Sequence, residues 1–137
     1  MVEQTTPYGI GVTVELTYDR AVERTREELA KEGFGVLTEI DVRATLRKKL
    51  DVEFRPYVIL GACNPLLAHR ALSAERDIGL LLPCNVVVYQ TDDSQRSVVA
   101  AMDPVAALQL AGNADIGPIA EEVKGRLMRA IAAVARS

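Results

Sequence analysis

The chain has 137 residues, 49% hydrophobic and 26% charged. This is the length of one domain, with a core large enough to fold without disulfide or metal staples, and not the composition of a disordered chain. A net charge of -3, with only four tyrosines and two phenylalanines, argues against nucleic acid as a partner.

No apolar run approaches the roughly 20 residues that span a bilayer, and no charged-then-apolar leader opens the sequence. No membrane is expected, and the cytoplasm is the expected compartment. Two cysteines without an export signal fit a reduced compartment better than a disulfide framework.

In residues 9–17, Ile10, Val12, Val14 and Leu16 alternate with Gly11, Thr13 and Glu15, which predicts a strand with one buried face. Asp19 is placed to cap a helix over residues 20–32, where Val22, Thr25 or Arg26, and Leu29 recur at helical spacing and Gly33 supplies a stop. Residues 34–40 read as a second strand. Asp41, Val42, Leu46 and Leu50 among Arg43, Arg47, Lys48 and Lys49 read as a short basic helix, whose charges are a solvated face or a place for a small anion.

Residues 57–63 are nearly all apolar and predict a central strand buried on both faces. Asn64-Pro65 opens a helix carrying Leu66, Leu67, Ala71 and Leu72, with one more turn over residues 74–78. Residues 84–91 and 96–102 flank the turn cluster Asp92-Asp93-Ser94 and form the one clear hairpin, whose second strand is expected at a sheet edge. Asp103-Pro104 begins a short helix that Gly112-Asn113 breaks. Gly117-Pro118 then starts the longest one, with a core stripe of Ile119, Val123, Leu127, Ile131 and Val134.

This order of elements predicts a single domain over residues 1–137 in the α+β class: a two-layer sandwich with a mixed, mostly antiparallel sheet and helices mainly on one face. A doubly wound sheet is the alternative.

Residues 60–88 hold both cysteines, the only histidine and two Cys-Asn steps. Asn64-Pro65 shares a grammar with Asp103-Pro104 and Gly117-Pro118: a capping residue, then proline at the first helical position, where its missing N–H costs nothing. Capping therefore explains Asn64 and Pro65. Cys63, just before a helix N-terminus, is positioned for a lowered thiol pKa, and Cys84 starts the next apolar strand after Pro83. Asn64 and Asn85 could supply amide hydrogen bonds to a sulfur-bound or small anionic group. The bland alternative is that both cysteines are small buried hydrophobes.

Cys63, Cys84 and His69 give at most three metal ligands, without the close-set cysteine pairs of zinc motifs. Neither glycine pair fits a phosphate loop, and neither a Cys-x-x-Cys nor a nucleophile elbow is present. No cofactor is implied, and the sequence holds no catalytic constellation.

The segment from Lys31 to Val42, "KEGFGVLTEIDV", with "LGACNPLLAHRAL", "IGLLLPCNVVVY" and "AMDPVAAL" following in order, resembles the domain of unknown function 302 family. That resemblance implies a small, compact α+β domain of bacteria and archaea, dimeric, sometimes duplicated or fused, with no known reaction. Its motif positions here are Gly33, Gly35, Asp41, Cys63, Asn64, Pro65, Pro83, Cys84, Asn85, Asp103 and Pro104.

The reading that follows is a non-catalytic homodimeric binding or interaction domain, with its small-molecule ligand unspecified. The alternatives are redox or sulfur handling by Cys63 and Cys84, and transient metal binding by the same sulfurs.

Overall fold

The computed structural model describes residues 2–137. Six strands form one sheet: β1 (Glu3–Thr6), β2 (Gly9–Val14), β3 (Gly35–Asp41), β4 (Tyr57–Cys63), β5 (Cys84–Gln90) and β6 (Ser97–Met102). Their order is β1-β2-β6-β5-β4-β3 and every pairing is antiparallel. The α+β sandwich is therefore as expected, and the doubly wound alternative is excluded.

The helices are α1 (Tyr18–Lys31), α2 (Val42–Leu50), α3 (Pro65–Ala74), α4 (Pro104–Leu108) and α5 (Gly117–Ala135), with 3-10 turns at Arg76–Leu81 and Gln109–Ala111.

Strand alternation sorts the side chains into two faces. Val12, Leu60, Val86, Val88 and Val99 point inward and pack under Ala21 and Leu29 of α1 and Leu127, Ile131 and Val134 of α5. A second, smaller core of Ala71, Ile78, Leu108, Ile116 and Ala120 joins α3, its 3-10 turn, α4 and α5. The other face carries Ile59, Val87, Val98, Ala100 and Met102, all half-buried. Of the helices, α1 and α5 lie on the inner layer, while α2 packs on β3 and β4 without burying a side chain.

Several expectations need correction. The strand over residues 96–102 is not an edge: β6 lies between β2 and β5, with Val99 opposite both Val12 and Val88. The edges are β1 and β3. β1 carries no apolar alternation because it is an exposed edge strand with an irregular register between Gln4 and Thr6.

β4 buries Val58, Leu60 and Ala62 on its inner face but leaves Tyr57 and Ile59 half-buried on the other. α1 starts two residues earlier than expected, with Thr17 rather than Asp19 in the cap position, so Asp19 serves the helix dipole from the first turn.

Two of the three proline helix starts follow the expected grammar. Leu67 N–H donates to Asn64 Oδ1 (3.2 Å), and the Val105 and Ala106 N–H groups donate to Asp103 Oδ1 (3.0 and 3.3 Å). Gly117 is not a cap. A turn closed by Ile116 N–H on the Asn113 carbonyl (3.0 Å) feeds directly into α5, and the buried Ile116 holds the cap position without a side-chain bond.

Candidate functional site

The end of α1 and the start of α3 meet at Gly33 and Asn64. Gly33 has φ of 85°, a backbone conformation that favours glycine, and a Cβ there would press on Asn64 Nδ2 at 3.0 Å. This turn delivers Phe34 into the inner layer, 4% exposed.

Beside it, Cys63 ends β4 and Asn64 caps α3. Pro83, which follows a cis peptide bond, leads into Cys84 opposite Ala62. These pieces enclose a cavity of about 310 Å³, walled by Phe34, Leu37, Ala62, Leu67, Ala71, Leu72, Leu82, Pro83, Leu108, Ile119 and Val123. Its remaining lining includes both cysteines, Asn64 and Thr38.

Both cysteines are free, Cys63 half-buried and Cys84 buried. Burial, with a smaller contribution from nearby Cys63, pushes the Cys84 thiol from 9.0 up to about 11. Cys84 is therefore protonated at neutral pH and lacks the activation that thiol chemistry needs.

The sign of the linkage is fixed. Between the ordinary thiol range and about 11 the folded chain holds a proton that the unfolded chain has released. Stability from this group is complete below the ordinary value and is lost as pH rises through the folded one. Urea midpoints are expected to fall more steeply over that window in the native protein than in Cys84→Ala. Cys84 is also expected to resist iodoacetamide at pH 8 until unfolding.

The other sequence candidates are dispersed. Alternation sends Asn85 to the opposite sheet face from Cys84, where it lines a different depression, so it does not join the thiols. His69 is exposed on α3. Among the described residues no three His, Cys, Asp or Glu side chains gather closely enough to hold a metal ion. On α2, Arg47 is paired with Asp51 and Glu53 at the surface.

A second feature was not anticipated. The outer sheet face forms a shallow depression of about 870 Å³ whose lining includes Tyr8, Tyr57, Val87, Tyr89, Ala100 and Met102. Tyr57 and Tyr89 stack across β4 and β5 with centroids 5.1 Å apart, and Phe54 lies 6.1 Å from Tyr57. Of the chain's six tyrosines and phenylalanines, only Tyr18 and Phe34 are absent from this cluster. Burial, with Tyr89 and Tyr8 nearby, raises the Tyr57 hydroxyl pKa. The available signal was the second alternation of these strands, which is apolar as well.

Residues 10–134 match the family model of DUF302, a domain of unknown function. The chain belongs to the DUF302 family. The match runs from β2 into α5 and so contains both the cavity and most of the open face. A crystal structure of an uncharacterized conserved DUF302 protein from Bacillus stearothermophilus is similar, with 30% identity and a TM-score of 0.85 over 93% of this chain and 98% of that one. No curated protein matches the chain. No helix among the described residues of this DUF302 domain is long and apolar enough to cross a membrane.

Proposed function

We propose that this DUF302 chain is a non-catalytic binding domain that works as a homodimer, two copies meeting through the open faces of their sheets. The observation that carries this reading is the apolar, aromatic character of that face. Tyr57, Ile59, Val87, Tyr89, Val98, Ala100 and Met102 form a continuous surface across β4, β5 and β6. Exposed Ile40, Phe54 and Tyr8 extend its margin, at 48%, 41% and 66% exposure.

Two such sheets can pack face to face about 10 Å apart, as in a β-sandwich. A self-complementary patch closes with two-fold symmetry. Among the described residues Glu3 is the only charged one lining the depression, so a second copy brings little opposing field and matches the surface it meets. Aromatic side chains at a patch centre are the usual anchors of such contacts.

Val87 sits between Ile59 and Ala100 at the middle of the face. In a monomer, Lys at this position extends into water; in the dimer its charge is buried without a partner. Sedimentation equilibrium is expected to show a dimer for the native chain and association at least about 100-fold weaker for Val87→Lys. A native monomer, or a Val87→Lys dimer of native strength, contradicts the reading.

A further inference from the structure

We propose that the cavity between α3, α5 and the ends of β3, β4 and β5 is a binding site for a neutral, mainly aliphatic small molecule. The site lies away from the open sheet face and does not depend on the dimer.

Size comes first. An apolar cavity of 150 Å³ already admits benzene, and small-molecule pockets begin at roughly 300 Å³. The volume here is about 310 Å³. It suits a chain of medium length and excludes a nucleotide or a peptide.

The walls decide the chemistry. Leucine, alanine, phenylalanine, proline, isoleucine and valine side chains make up most of the lining. Water in such a space finds few partners, and an alkyl chain that displaces it gains the hydrophobic term.

Charge then narrows the class. Among the described residues no Lys, Arg, His, Asp or Glu side chain lines the cavity. The thiol of Cys84 is protonated at neutral pH because it is buried. A carboxylate or ammonium placed inside would be desolvated without a counter-charge, which costs far more than burying a hydrogen-bonded carbonyl.

Polar side chains are scarce here: apart from the two cysteines, Asn64 and Thr38 are the polar residues of the described lining, and the Asn64 Oδ1 already accepts from the Leu67 N–H.

Cys63 and Cys84 both line this wall. Cys84 is soft apolar lining. Cys63, half-buried, gives a chemical report on occupancy.

The probes are 2-nonanone and, as the charged control of similar length, nonanoate, titrated by calorimetry into the full chain at neutral pH. The expected result is saturable binding of one 2-nonanone per chain, with nonanoate at least about tenfold weaker. Bound ketone is also expected to slow alkylation of Cys63.

Ala68→Phe fills the cavity from α3, and Leu72→Trp fills it from the exposed rim, where misfolding is not at issue. Either variant that folds by circular dichroism is expected to weaken 2-nonanone binding at least about tenfold. Absent saturable binding, binding that survives both substitutions, or nonanoate binding as tightly as the ketone would each overturn the assignment.

Discussion

Asp103→Ala is expected to lower the unfolding free energy by about 2–4 kcal/mol, read from urea denaturation at neutral pH. Asp103 is 3% exposed and does three things at one point in the chain. Its Oδ1 accepts from the first free N–H groups of α4, at 3.0 and 3.3 Å. Its Oδ2 meets Lys124 Nζ of α5 at 3.0 Å, tying the two helices together. Its backbone N–H donates to the Tyr8 carbonyl at 2.8 Å, which fixes the start of β2 beside the end of β6.

Alanine keeps the last of these and loses the first two. Losing a cap costs about 1 kcal/mol, and the remainder comes from the largely buried ion pair. Lys124 is 30% exposed and can reach water, which keeps the total below the cost of a fully stranded charge. Asp103→Asn retains the capping oxygen and is expected to lose about half as much. Equal losses for both variants would show that the cap contributes nothing.

Leu127→Ala is expected to cost about 3–4 kcal/mol by the same measurement. Leu127 is fully buried in α5, where it faces the inner sheet beside Ile131 and Val134. Removing its branched end loses the transfer free energy and leaves a void between two rigid layers that cannot close on it. Against a typical domain stability of about 5–15 kcal/mol this is a large fraction. Leu66→Ala, 60% exposed on α3, is expected to change stability by less than about 0.5 kcal/mol. A small Leu127 effect would contradict the placement of the core between α5 and the sheet.

The parts of this fold that could be read from the sequence are those decided within a few residues. Asn64-Pro65 and Asp103-Pro104 announce helix starts because a cap and its N–H groups are neighbours in the chain. Gly117-Pro118 has similar letters but a different cause, since the turn begun at Asn113 had already supplied the entry.

Non-local pairing was not legible. Nothing in the hairpin of β5 and β6 says that β2 will join its outer side, and β1 pairs through its backbone with no side-chain pattern to reveal it.

The cavity shows the same limit. Phe34, Cys84 and Ile119 come from three distant segments, and only the fold brings them to one wall. Cys63 and Cys84 both line this cavity, but burial moves Cys84 away from thiolate character. The open face was visible only in part: apolar residues on both alternations of β4 suggested burial on both sides, whereas α1 and α5 pack on one side and Tyr57 and Ile59 stay half-buried on the other.

The central claim is that the uncovered side meets its counterpart on a second copy, and isotope-filtered NMR on a mixture of labelled and unlabelled chains tests it directly. Intermolecular NOEs are predicted among the methyl groups of Ile59, Val87, Val98, Ala100 and Met102. Their absence at concentrations where the native chain is a dimer, or intermolecular NOEs arising from α3 or α5 instead, would contradict the account.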